Sequence, residues 1–68
     1  MHYRDLSVGM RLIANRSDGT KKELVVVRKG LDGFGIKSVV LQSTTSSAQF
    51  YYRAEEIPYL YIELKKEI

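Results

Sequence analysis

A single histidine, His2, and no cysteine leave this 68-residue chain short of the groups that nucleophilic or thiolate chemistry requires. A nucleophile needs a base within hydrogen-bond reach, and a structural zinc site needs about four Cys or His donors. The carboxylates offer no substitute. Glu55 and Glu56 are adjacent, and neighbours around a tight turn splay apart, whereas an acid/base pair must converge on one cleft. They read as solvated or capping groups. Asp18 and Asp32 each precede a glycine, which assigns them to turns. The sequence therefore predicts no enzyme, no metal, no cofactor and no small-molecule substrate.

Two glycine patterns invite a phosphate-binding reading. Gly30-Leu31-Asp32-Gly33, with Lys29 before it, has the form of the GxxG loop by which KH domains clamp a nucleic-acid backbone. That loop joins two helices, and here strand formers stand on both sides, so a hairpin is the better meaning. Gly33 and Gly35 do not make a dinucleotide fingerprint, because no helix follows to aim its N-terminus at a phosphate.

The groups left for binding are cations and tyrosines. Net charge is +3, but residues 1–37 hold eight Lys/Arg against four Asp/Glu, and residues 38–68 hold three against four. The excess lies in the first half. Arg11, Arg16, Lys21, Lys22 and Lys37 are candidate phosphate contacts, with Arg16 facing Lys21 near a hairpin tip. The same residues also suit a solvated edge that resists sheet growth. Tyr51, Tyr59 and Tyr61 point away from the expected core, and Tyr51 or Tyr61 is placed to stack on a base. Phe50 and Tyr52 point inward.

The elements that must position these groups are strands. Asp18-Gly19 and Asp32-Gly33 separate three runs of strand formers, and Asp-Gly suits a two-residue type I′ hairpin loop. Strands are expected over 8–14, 23–28, 34–42, 48–53 and 59–64, with a polar lead-in over 2–7 and a polar loop over 43–47. Pro58 cannot join a ladder, so a single 3₁₀ turn is expected over 54–58. Two-residue loops would set Leu12 opposite Val25, Met10 opposite Val27, Val27 opposite Ser38 and Val25 opposite Val40. One face then holds Met10, Leu12, Val25, Val27, Ile36 and Val40. The other holds Ile13, Leu24, Val26, Val39 and Leu41, and a sheet with one wet side is not apolar on both. This second face is expected to be covered by barrel curvature or by a partner, which makes its five residues candidate interface positions.

Five short strands, a meander through the middle three and a 3₁₀ turn before the last resemble the SH3-like and Sm-like small barrels. The resemblance spans nearly the whole chain, with Tyr52-Arg53-Ala54-Glu55-Glu56-Ile57 in the place of their strand-turn-strand closure. It implies an all-β, single-domain fold over 1–68. It does not select a function, because such barrels host nucleic-acid binders, peptide binders and phage or plasmid proteins alike.

A domain this small draws little net stability from its core, so self-association is expected. Lack of cysteine suits a reducing cytoplasm, and the charged start with no long apolar run predicts neither a signal peptide nor a membrane helix. Two roles remain. One is a nucleic-acid-binding barrel using the cations and tyrosines above. The other is a protein-interaction module or small inhibitor, docking on a larger host protein through the second apolar face.

Overall fold

The computed structural model describes residues 1–60 and 62–64. Its strands are β1 (Arg11–Asn15), β2 (Lys21–Leu31), β3 (Lys37–Ser43), β4 (Gln49–Arg53) and β5 (Ile62–Leu64). They form one antiparallel sheet in the order β4-β3-β2-β1-β5, curled into a half-barrel. A 3₁₀ turn over Ala54–Tyr59 precedes β5, and a second spans Tyr3–Asp5. The all-β, five-stranded plan with a 3₁₀ turn before the last strand is thus as the sequence predicts.

The hairpin loops differ from that expectation, and the difference inverts part of the sheet. Type I′ loops would put each Asp at positive φ, and among the described residues only glycines adopt it. The two loops share another geometry. In the first, Gly19 N–H donates to the Arg16 carbonyl and Arg16 N–H to that of Thr20. In the second, Gly35 N–H donates to the Asp32 carbonyl and Asp32 N–H to that of Ile36. Each is a turn closed by a glycine at positive φ, Gly19 at 86° and Gly35 at 75°. The aspartates act through their side chains: Asp18 Oδ1 accepts from Thr20 N–H, and Asp32 Oδ1 from Phe34 and Ile36 N–H.

Longer loops shift the register. Leu12 pairs with Leu24 and not Val25, and Val25 pairs with Gln42 and not Val40. Because side chains alternate with period two, the one-residue slip at the first hairpin exchanges faces. Leu12, Leu24, Val26, Val39 and Leu41 form the buried core together with Leu6 and Ile57. Val25, Val27 and Val40 lie on the outer side, less buried. The cover for the second apolar face is therefore the curl of the chain itself. Leu24, Val26, Val39 and Leu41 are at most 3% exposed and cannot meet a partner. Ile13, expected beside them, is half-buried on the other face of β1 from Leu12. Leu6, placed by the sequence in a polar lead-in, closes the core from below β1.

A β-bulge interrupts β2. Val26 pairs with Leu41, but Arg28 pairs with Val40, so Val27 is an extra residue. Beyond it the faces exchange: Arg28 is exposed on the outer side, while Lys29, opposite buried Val39, turns in. Lys29 Nζ donates to the Leu6 carbonyl and lies 4.5 Å from the centre of the Tyr3 ring.

Candidate nucleic-acid interface

The outer side of β2, β3 and β4 assembles an aromatic ring among cations. Alternation along β4 turns Gln49, Tyr51 and Arg53 outward while Phe50 and Tyr52 pack on the core. Tyr51 pairs with Val40 and Val40 with Arg28, so one row across the sheet reads Arg28, Val40, Tyr51. The next row is Gly30, Ser38, Arg53, with Arg53 exposed. Two shallow depressions are lined in part by the neighbours of Tyr51 on β4. One, of about 300 Å³, is lined by Val27, Arg28, Val40 and Gln49. The other, of about 410 Å³, is lined by Ile36, Lys37, Arg53, Ala54 and Glu55. Gln49 belongs to the first and Arg53 to the second, and Tyr51 stands between them on the same strand.

The ring is held at its far end, since the Tyr51 hydroxyl donates to Asp32 Oδ2. Asp32 therefore accepts three hydrogen bonds: Tyr51 on one oxygen, Phe34 and Ile36 N–H on the other. These donors hold its carboxyl below the ordinary aspartate range, the Tyr51 hydroxyl first, then the Ile36 N–H, with Phe34 N–H and the Arg53 charge adding to them. Asp18 is lowered likewise, chiefly by the Thr20 hydroxyl and then its N–H.

A guanidinium recognises phosphate through paired N–H donors, and a half-exposed phenol presents a face on which a base stacks. Tyr51 is 47% exposed. Such groups suit an anionic, aromatic ligand: guanidinium donors on Arg28 and Arg53 and a free ring face on Tyr51. Among the described residues no group of three or more His, Cys, Asp or Glu converges to hold a metal ion, and no helix is long and apolar enough to cross a membrane.

The sequence-predicted contacts do not form one patch. β2 runs eleven residues, about 33 Å at the usual rise per residue, close to the 34 Å long dimension of the chain. Arg16, Lys21 and Lys22 sit at one end of β2, and Lys37 pairs at the other, opposite Leu31. Lys21 pairs with Asn15, so Arg16 does not face it. Lys22 turns to the concave side, its ammonium 4.6 Å from the centre of the Phe50 ring. Arg16 and Lys22 line a third depression, of about 140 Å³, with Ala14, Leu24, Phe50 and Tyr52. Arg11 is on the outer face but ion-pairs with Glu23 at 3.8 Å. Lys37 lines a depression with Arg53, two residues from Tyr51 on β4, although by alternation it shares the inward side of Val39 and Leu41. Tyr59 is 82% exposed, as expected; Tyr61 lies outside the described residues, as does the side chain of Leu64.

Arg28 and Arg53 are the outer-face cations that the sequence-predicted set lacks. Arg53 was accessible to sequence reading, because residues 51 and 53 share a face of any strand. Arg28 was not, since the bulge that turns it outward leaves no mark in Val25-Val26-Val27.

Comparison with known families, curated proteins and solved structures finds no match to this chain. What defines it is its own geometry: a small antiparallel half-barrel with a cationic and aromatic outer surface.

Proposed function

We propose that the chain is a non-catalytic binding module, SH3-like or Sm-like in plan, that holds single-stranded nucleic acid on the outer face of β2, β3 and β4. The observation that supports this reading is the place of Tyr51 on β4 between Gln49 and Arg53, which line two depressions, the first with Arg28 and the second with Lys37. The absence of cysteine suits a reducing, cytoplasmic setting. Three phosphate contacts on a single strand predict that log affinity falls with log salt at a slope of about −2. The test is fluorescence anisotropy with a labelled oligonucleotide, single-stranded and as duplex, across a salt series. Salt-sensitive binding that prefers the single strand and weakens in Tyr51→Ala supports the reading. No binding at low salt, or binding indifferent to Tyr51→Ala, overturns it.

A second reading, a self-associating or protein-docking module, is favoured by the free edge of β4. Among the described residues β4 has a strand neighbour on one side only, and its other side offers backbone groups to an added strand. This replaces the face of Leu24, Val26, Val39 and Leu41, which lies inside the chain. Light scattering that gives a monomer at high concentration counts against self-association.

A further inference from the structure

The tip of the second hairpin carries two bare apolar side chains, Phe34 at 89% exposure and Leu31 at 69%. A solvated turn has no need of them, and the Phe is displayed by a built device. Asp32 Oδ1 takes the N–H of Phe34 at 2.8 Å and that of Ile36 at 3.0 Å, while Gly35 at positive φ closes the turn beyond. The other oxygen of the same carboxylate takes the Tyr51 hydroxyl from β4. One side chain therefore fixes both the backbone that displays Phe34 and the ring of Tyr51, and only the width of a carboxylate separates the two points of attachment.

We propose that Asp32 is a positioning residue that sets Phe34 and Tyr51 as a two-ring clip for neighbouring unstacked bases of one strand. The inference rests on the nucleic-acid reading above and deepens it by naming the pair of rings that takes neighbouring bases and the residue that positions them. Duplex bases present no free faces to such rings, whereas splayed bases stack on aromatic side chains whatever their identity. Arg53 and Lys37, which line one depression, hold the backbone as it passes. Fixing the Phe34 backbone and the Tyr51 ring before the strand arrives removes part of the ordering cost of binding.

An acid beside a phosphate-binding face makes this sharply testable, because charge and positioning predict opposite signs. Asp32→Asn removes a negative charge next to Arg53. If Asp32 acted by charge alone, an anionic strand would bind the variant more tightly. Asparagine keeps one acceptor for the Phe34 and Ile36 N–H groups but offers Tyr51 an amide donor in place of its acceptor. The probe is a fluorescein-labelled oligothymidylate of about twelve nucleotides, within the span a small barrel covers. Phe34→Ala is expected to weaken binding about tenfold, the usual loss of one stacked base. Asp32→Asn and Tyr51→Phe are each expected to weaken it about threefold or more, and the double variant no further than the worse single one. Unfolding curves of each variant establish that the fold is kept.

Tighter binding by Asp32→Asn, or full affinity in Phe34→Ala, overturns the clip while leaving the nucleic-acid reading intact, provided Tyr51→Ala still weakens binding. A wild-type chain that binds no oligonucleotide overturns both.

Discussion

The ammonium of Lys29 donates to the carbonyl of Leu6 at 2.6 Å, tying the inner side of β2 to the segment that leads into β1. The two residues are 23 positions apart, so the bond closes a long loop and seats Leu6 in the core. A charge-assisted bond of this kind, with a ring beneath the cation, contributes about 1–2 kcal/mol after allowance for partial exposure. Lys29→Met is expected to lower stability by that amount in urea unfolding. Lys21→Met, at an exposed position of the same strand, is expected to stay within about 0.5 kcal/mol of the parent.

Val26 separates an intrachain core from a docking surface. It is 1% exposed among Leu12, Leu24, Leu41 and Ile57. Val26→Asp puts a carboxylate there with no partner, at a cost of several kcal/mol in a domain holding only about 3–5. The variant is expected to lose its cooperative thermal transition. Val25→Asp, on the opposite face, is expected to keep one. If Val26→Asp instead stayed folded and merely changed its oligomeric state, the core assignment would fail.

Gly33 and Gly35 form an internal control. A Cβ at either meets nothing within 4 Å, but only Gly35, at φ +75°, lies where L residues are strained. Gly35→Ala is expected to cost about 1–2 kcal/mol and Gly33→Ala much less. Equal melting temperatures for the two would contradict the turn geometry described for this hairpin.

The pH dependence follows from Asp18 and Asp32, whose folded-state values lie below their ordinary ones. A depressed carboxyl stabilises the fold fully above its unfolded value, near pH 4, and that contribution disappears as pH falls through the lower folded value. Stability is expected to decline from about pH 4 downward on this account. Asp32→Asn with Asp18→Asn flattens that part of the profile in acid-titrated unfolding. A profile just as steep in the double variant would refute the assignment.

The sequence carried strand identity well and register poorly, for a physical reason. Strand identity rests on runs such as Glu23-Leu24-Val25-Val26-Val27-Arg28 and on Pro58, which any ladder must exclude. Register rests on loop length, and Asp32-Gly33-Phe34-Gly35 contains two glycines that could close a turn. The chain uses Gly35, which lengthens the loop and leaves Phe34 at its tip. In a strand of consecutive valines either face can serve as the core, so composition does not choose between them. Tyr51 was legible as outward because β4 alternates cleanly. Its tether to Asp32 joins residues 19 apart and depends on the very register that the sequence left open.

Val27 is surplus to the ladder, and without that bulge the strand beyond it would follow regular alternation. That change would send Arg28 into the barrel and Lys29 out to solvent. It would trade an ammonium for a bulkier guanidinium and remove Arg28 from the row it shares with Val40 and Tyr51. The grip of Lys29 on Leu6 and Tyr3 therefore favours the bulged strand, and a contact inside the barrel bears on which charge the outer surface displays.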